Sequence, residues 1–218
     1  MEPKNNSIKV WDVFVRIFHW TLVGVMFGQY LTGDRVKNVH INVGYFLICL
    51  VLARILWGFF GSKHARFSDF VYGPGTIISY LKGLIKGTPK HYLGHNPAGG
   101  LMIIIILFSL LVTAFTGLKT LGSRGQGPLA DEGISIVRLT YADEDKHDEN
   151  DDHPTFSEGH RKKNKKYEFW EEIHEFMTGF MLFLIIVHIS GVIISSWVHK
   201  ENLILAMITG TKKKGSSV

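Results

Sequence analysis

The chain carries the stretch MIIIILFSLLV at residues 102–112, which is apolar on every side of a helix. A helix of a soluble bundle is apolar along one stripe, whereas a helix surrounded by lipid is apolar all round. The hydrocarbon core of a bilayer is about 30 Å thick, so a spanning helix needs roughly 20 apolar residues. Segment 98–118 has that length and no Lys, Arg, Asp or Glu, and it therefore predicts a membrane-spanning helix.

Three more segments have a similar character. Segment 176–198 contains no Lys, Arg, Asp or Glu, segment 41–60 contains only Arg54, and segment 14–31 is interrupted by Arg16 and His19. A soluble four-helix bundle is the alternative, but it does not account for the all-round apolar stretch. We predict an all-α membrane protein in which residues 1–218 form a single domain with four transmembrane helices.

Composition excludes several classes of redox site and function. The 218 residues include one cysteine, Cys49, whereas a disulfide, a four-cysteine iron–sulfur cluster and a covalent C-x-x-C-H haem site each need at least two. No Walker loop, nucleophile triad or nucleic-acid-binding module is visible in the sequence. A tightly held redox centre would therefore use other ligands.

The two long connections are strongly charged. Loop 119–172 combines an acidic run at 143–152 with the basic run RKKNKK at 161–166, and such stretches are usually solvated. Loop 61–97 is basic. It contains five apolar residues at helical spacing, opposite Lys82 and Lys86, which predict either a short helix in the membrane interface or a loop helix packed on the bundle: Ile77, Ile78, Leu81, Leu84 and Ile85.

Four histidines lie within or at the ends of the predicted spans, where an ionisable side chain is costly and indicates function. His174 and His188 are 14 residues apart, which on one helix gives about 21 Å of axial separation and about 40° of rotation. They face the same way at two depths. His40 begins the second span near the level of His174, and His19 lies toward the level of His188, so we predict these two pairs.

Facing histidines on bundle helices are the arrangement that two stacked, non-covalent b haems require, with one imidazole on each side of each iron. A dinuclear metal centre would need carboxylates beside the histidines, and the predicted spans contain none. The alternative for any single histidine is a hydrogen-bonded structural role.

Arg54 and Arg16 are candidate partners of haem propionates. Arg54 follows His40 by 14 residues and so lies near the level of His188, where a guanidinium needs an anionic partner. Arg16 lies about one turn before His19, and contact with lipid headgroups is an equally good interpretation for it. Gly44 is one of several small residues that would let a helix or a flat cofactor approach closely.

These residues resemble the b-type cytochrome subunit of nickel–iron hydrogenases and the related bacterial cytochromes b561. The similar motifs are VRIFHW at 15–20, VHINVG at 39–44, RILWGFFG at 54–61, GHNP at 94–97, IHEFMTGFMLFLIIVH at 173–188 and HKENL at 199–203. The resemblance implies haem ligands at His19, His40, His174 and His188. Loop 119–172 matches no part of that pattern.

The resemblance also implies a function and a location. Two haems would connect the membrane quinone pool with a periplasmic redox protein, either a c-type cytochrome or a hydrogenase-like subunit. The alternative is a self-sufficient quinone oxidoreductase that acts on a small periplasmic substrate. Lys and Arg outside the spans number 11 on each side, so charge alone does not orient the chain. The resemblance implies the bacterial inner membrane with both termini cytoplasmic, which makes loop 119–172 periplasmic.

Overall fold

The structure, a computed structural model, describes residues 7–33, 35–130 and 155–213, and for 155–164 and 213 the backbone alone. Short strands lie near both ends of the described chain, and helices form most of the rest. In chain order the elements are β1 (Ser7–Lys9), α1 (Val13–Thr32), α2 (Lys37–Phe60), α3 (Phe67–Phe70), α4 (Pro74–Ile85), α5 (Pro97–Ser123), α6 (Thr155–Val198), α7 (Leu203–Thr209) and β2 (Thr211–Lys213).

Three of the described helices are long and apolar enough to cross a membrane: α2, α5 and the part of α6 at Lys165–Val198. They contain the predicted spans 41–60, 98–118 and 176–198. Large apolar side chains remain exposed along them, including Phe60 at 84% and Trp197 at 82%, as expected of surfaces that face lipid. The predicted span 14–31 coincides with α1, a 20-residue helix that is not among these three.

Helical structure extends into segment 119–172 from both sides. Helix α5 continues to Ser123, and α6 begins at Thr155. At 1.5 Å per residue the 44 residues of α6 extend about 66 Å, well beyond a hydrocarbon core of about 30 Å. Its first turns are rich in Lys and Glu, which favour helix in water. The basic run 161–166 is therefore helical, while the acidic run 143–152 lies outside the described residues.

Two compact units make up the chain, one formed by the part up to Phe108 together with the part from Leu182 onward, the other by Ser109–Met181. In the first unit β1 pairs antiparallel with β2, with Ile8 opposite Lys212. Val10 and Trp11, which follow β1, pack with Ala206 of α7 in a small buried cluster. The two ends of the described chain are thus joined. The single domain over 1–218 stays a prediction.

In the second unit the C-terminal half of α5 packs with the N-terminal half of α6. Leu110 and Met181 are fully buried there. The rings of Phe115 and Trp170 lie 6.1 Å apart, and the Lys119 ammonium lies 5.7 Å from the Phe115 ring. Aromatic and cation–π contacts of this kind stabilise the part of α6 that precedes its apolar segment.

Candidate functional site

His19 on α1 and His188 on α6 lie side by side in the first unit. Their ring centroids are 6.4 Å apart, with the ring planes inclined at 51°, and both residues are half-buried. Two metal–imidazole bonds of about 2 Å each, with about 1 Å more to each ring centre, would place the centroids about 6 Å apart. The spacing therefore fits a single iron between the two rings, as the predicted pairing requires.

Four buried side-chain nitrogens in the described part of the chain have no hydrogen-bond partner within the protein: Arg16 Nε, His19 Nδ1, Arg54 Nη1 and His95 Nδ1. All four belong to the first unit, as does His188. A buried polar group without a partner costs about 1–3 kcal/mol. These nitrogens therefore fit a polar ligand that the protein itself does not supply, such as the carboxylates of a haem.

The Arg54 side chain is held in place while part of it stays unsatisfied. The residue is 3% exposed, and its Nη2 donates a hydrogen bond of 3.2 Å to the carbonyl oxygen of Ala65. The guanidinium carbon lies 5.6 Å from the Phe67 ring centroid and 6.0 Å from that of Phe70. These contacts fix the guanidinium, so that Nη1 is positioned for an anionic partner.

One part of the Arg16 guanidinium makes a contact with α7 that the sequence did not predict. Its Nη1 donates a hydrogen bond of 2.6 Å to the carbonyl oxygen of Ile208 in α7, and its Nε is the buried atom that lacks a partner. The side chain therefore joins α1 to the C-terminal part of the chain. Its Nε fits a propionate partner, one of the two interpretations that the sequence left open.

His95 is a residue of this region that sequence reasoning missed as a separate candidate. Its ring lies 4.4 Å from the Trp11 ring and 4.8 Å from the Phe70 ring. Burial, reinforced by the nearby Arg54 guanidinium, lowers its pKa to about 3, so the imidazole is neutral at pH 7. The only signal in the sequence was the GHNP motif at 94–97, just before α5.

His40 and His174 both direct Nδ1 toward a backbone carbonyl. For His40 the acceptor is the Gln29 oxygen at 3.3 Å, and for His174 it is the Thr113 oxygen at 3.0 Å. With Nδ1 as the donor to the carbonyl oxygen, the lone pair that could bind a metal lies on Nε2. Metal-bound histidines commonly show this arrangement. His40 belongs to the first unit and His174 to the second, and their pairing stays a prediction.

Gly117 and Gly44 each leave room for a different neighbouring side chain. A Cβ on Gly117 would lie 3.0 Å from Cε1 of His174, so this glycine leaves room for the imidazole. A Cβ on Gly44 would lie 3.3 Å from Nε2 of Gln29. Gly44, predicted as a cofactor-binding residue, thus permits close approach of the α1 side chain Gln29.

The described residues contain no group of three or more His, Cys, Asp or Glu side chains that could hold a metal ion among themselves. The histidine pair at 6.4 Å would accordingly leave the remaining coordination positions of a metal to a non-protein group. A haem would bring the other nitrogen ligands of its iron itself, so His19 and His188 would suffice to hold it. The donor set of this site fits haem.

Comparison with known proteins agrees with this chemistry. The family model described as prokaryotic cytochrome b561 matches residues 10–210. Among curated proteins, a probable Ni/Fe-hydrogenase B-type cytochrome subunit of Azotobacter chroococcum mcd 1 is 26% identical over 59% of this chain and 65% of its own length. A protein of the same name from Rhizobium leguminosarum bv. viciae is 28% identical over 57% of this chain and 63% of its own length.

The chain thus spans just under two thirds of the length of these curated relatives. A protein of the same name from Azotobacter vinelandii is 26% identical over 52% of the chain and 59% of its own length. No solved structure shows significant similarity.

Proposed function

This chain belongs to the prokaryotic cytochrome b561 family, and we propose that it is a membrane electron-transfer subunit with two non-covalent b haems. It exchanges electrons with the quinone pool on one side and with a periplasmic redox protein on the other. A hydrogenase-like subunit is the favoured partner, because the curated relatives are named as hydrogenase cytochrome subunits. A c-type cytochrome is the alternative partner.

The observation that carries this proposal is the separation of His19 and His188. Their ring centroids are 6.4 Å apart, and Nδ1 of His19 is buried without a partner. This spacing leaves room for one metal ion between the two imidazoles, so His19 and His188 would together hold one haem. Haem, when bound, supplies one-electron chemistry because its iron alternates between two oxidation states.

The protein's own residues have distinct parts in this proposal. His19 and His188 hold the inner haem, while His40 and His174 each hold the outer haem through Nε2. The carbonyl acceptors of Gln29 and Thr113 orient the two outer rings and raise the basicity of the ligating nitrogen. Arg54 and Arg16 place positive charge beside the inner haem, where it pairs with propionates. The apolar helices keep water away from both haems.

The proposed membrane arrangement has four spans, with α1 joining α2, α5 and α6. Helix α1 contains 20 residues, about 30 Å of helix, and it carries His19 to the level of His188. The chain lies in the bacterial inner membrane with both termini cytoplasmic. The inner haem is therefore the one nearer the cytoplasm, and the outer haem is nearer the periplasmic end of the bundle.

Haem counting on the purified chain tests the proposal. A pyridine haemochrome assay should give two haems per chain, both extractable by acidified acetone because neither is covalently bound. His19→Ala or His188→Ala should leave one haem, and His40→Ala or His174→Ala should remove the other. His91→Ala, at an exposed histidine, is the matched control and should keep both. One haem in the wild-type chain, or covalent haem, would overturn the proposal.

The role as a subunit is tested separately from the haem count. A quinol analogue should reduce the haems of the purified chain, and sustained turnover should appear only after a redox protein partner is added. Turnover of a small substrate by the purified chain alone would instead identify a self-sufficient quinone oxidoreductase.

A further inference from the structure

Helix α4 carries an apolar stripe that no other described part of the chain covers. Its residues Ile78, Leu81 and Ile85 are 53%, 42% and 88% exposed. At about 100° per residue they lie within about 60° of one another around the helix. Ile77, Tyr80 and Leu84 lie on the neighbouring face and are at least half-buried. The helix therefore packs on the protein by one face and presents a second apolar face outward.

Two lysines lie beside the exposed apolar stripe of α4. Lys82 and Lys86, which were predicted opposite all five apolar residues, lie opposite only the buried face of α4. They lie next to the exposed apolar stripe, about 40° to 80° beyond its edge, and both are exposed. A helix that lies in the plane of a membrane surface has this order, with the apolar face toward the acyl chains and lysines reaching up to the phosphates. The buried face of α4 fits a helix packed on the bundle, and its exposed apolar face fits a helix in the membrane interface. These are the two locations predicted for this helix.

The turn after α4 brings Lys90 close to Lys82 and Lys86. The helix ends in a Schellman motif, in which Thr88 N–H donates to the Gly83 carbonyl at 2.9 Å and Gly87 N–H to that of Leu84 at 3.2 Å. Gly87 adopts φ 73°, which favours glycine. A Cβ on Gly83 would lie 3.3 Å from Pro89 Cα, so the chain folds back closely over the helix.

The folded-back chain and the helix enclose a groove of about 800 Å³. Lys82, Lys86 and Lys90 line it together with the hydroxyl-bearing residues Thr76, Ser79 and Tyr92. Lys90 is held near the groove by the Tyr92 ring, whose centroid lies 5.9 Å from Nζ. Within the described lining there is no Asp or Glu. The groove therefore offers positive charge and hydrogen-bond donors to an anion.

We propose that α4 and the following turn bind the headgroup of an anionic phospholipid. The phosphate and its neighbouring oxygens occupy the groove among the three lysines, and the acyl chains lie along Ile78, Leu81 and Ile85. A free phosphate would use the lysines alone and leave the apolar stripe without a function. The contiguity of apolar stripe and basic groove in a membrane protein therefore favours a lipid.

The site has a direct link to a membrane-spanning helix. Tyr80, the buried residue of α4, places its hydroxyl 3.5 Å from Nε2 of His199, just after α6. This contact attaches α4 to the chain just after α6.

Native mass spectrometry of the full chain in detergent tests the site, with phosphatidylglycerol and phosphatidylcholine as probes. Phosphatidylglycerol should bind more tightly than phosphatidylcholine. Each lysine near an anionic lipid contributes roughly fivefold in affinity, so Lys82→Gln/Lys86→Gln should raise the Kd for phosphatidylglycerol by about 25-fold. Arg35→Gln/Lys37→Gln removes the same charge from exposed positions outside the groove and should leave the Kd unchanged. Circular dichroism should show the same helix content in both variants.

Three results would overturn the proposal. The first is an equal effect of the two double variants on phosphatidylglycerol binding, which would reveal a general effect of charge. The second is displacement of the lipid by millimolar inorganic phosphate, which would identify a site for a free anion. The variant Ile78→Ser/Ile85→Ser should weaken lipid binding although every lysine is kept, and unchanged binding by this variant would also contradict the proposal. None of these measurements depends on haem content.

Discussion

The indole Nε1 of Trp57 donates a hydrogen bond of 3.0 Å to Oδ2 of Asp12, across 45 positions of the sequence. The other carboxylate oxygen of Asp12 accepts a bond of 2.7 Å from the Val15 N–H and so caps α1. Ser62, which follows α2, donates to the same carboxylate. One side chain therefore fixes the beginning of α1 to the end of α2, on the helices that carry His19 and Arg54.

Replacing Asp12 should destabilise the fold. Asp12→Ala removes the cap, worth about 1 kcal/mol, and leaves the Trp57 indole without its acceptor, which adds about 1 kcal/mol or more. We expect the free energy of unfolding to fall by about 2 kcal/mol. Denaturant unfolding in detergent, followed by circular dichroism, measures this loss. Asp69→Ala is the control, because its ion pair with Arg66 at 3.4 Å is largely exposed and is worth less than about 1 kcal/mol. Equal losses would refute the role of Asp12.

The contribution of Asp12 should depend on pH. Burial acts to raise the pKa of this carboxyl, but the hydrogen bonds from Ser62, Val15 and Trp57 outweigh it and hold the pKa below its usual 3.8. A group whose pKa is lower in the folded state stabilises it above the unfolded pKa, and loses that effect as pH falls through the folded pKa. The stability difference between wild type and Asp12→Ala should therefore be constant above about pH 5 and shrink below about pH 4.

Arg54 should tune the inner haem. A cation beside the haem stabilises the electron-rich reduced form, so Arg54→Leu should lower the midpoint potential of the inner haem. If the reduced haem loses about 1.4 kcal/mol of stabilisation, its midpoint potential falls by roughly 60 mV for a one-electron couple. Spectroelectrochemical titration measures both haems. Arg54→Lys keeps the charge and should recover most of the shift, and Arg66→Leu, at an exposed arginine, should shift neither haem. Equal shifts of both haems by Arg54→Leu would contradict its placement.

Gly117 should be required for the outer haem. An added Cβ would lie 3.0 Å from Cε1 of His174, and the larger side chain of Gly117→Val should push the imidazole away from its bond to the Thr113 carbonyl. We expect haem content to fall toward one per chain, with the inner haem spectrum unchanged. Gly73→Ala, where a Cβ would meet nothing within 4 Å, should keep both haems. Full occupancy in Gly117→Val would show that the ring tolerates displacement.

Glu201 should stabilise the C-terminal strand. Its carboxylate accepts from His91 Nε2 at 2.8 Å and pairs with Lys212 Nζ at 3.1 Å, and the Lys212 side chain is only 6% exposed. Breaking such a pair leaves a nearly buried charge without compensation, which costs about 3 kcal/mol. Glu201→Gln should therefore destabilise the chain strongly, and Glu201→Gln/Lys212→Met should regain most of the loss. A double variant no more stable than the single one would contradict this coupling.

The sequence predicted those parts of the fold that depend on hydropathy alone. Segments 41–60, 98–118 and 176–198 fall within α2, α5 and α6 because a long apolar run has few structures open to it in a membrane. The polar beginning of α6 was missed, since a helix in water leaves no hydropathy signal. Spacing on one helix also indicated that His188 and His174 face the same way, and depth indicated His19 as the neighbour of His188.

What the sequence could not predict depends on contacts between distant residues. His95 lies outside every predicted span and becomes notable only because Trp11 and Phe70 enclose its ring. Asp12 has no distinguishing feature in the sequence, because its bond to Trp57 depends on the geometry of two helices. Which neighbour the small size of Gly44 admits was likewise not predictable, and the structure places the Gln29 side chain there; its role beside a cofactor stays a prediction.

The pairing of β1 with β2 constrains how often the chain traverses the bilayer. Two hydrogen-bonded strands must lie on the same side of a membrane, so the number of crossings between Lys9 and Thr211 has to be even. Helices α2, α5 and α6 are long and apolar enough for three crossings, and among the other described helices only α1, with 20 residues, approaches the length that a further crossing needs. Parity thus favours α1 as the fourth crossing despite Arg16 and His19, the two residues that weaken its hydropathy.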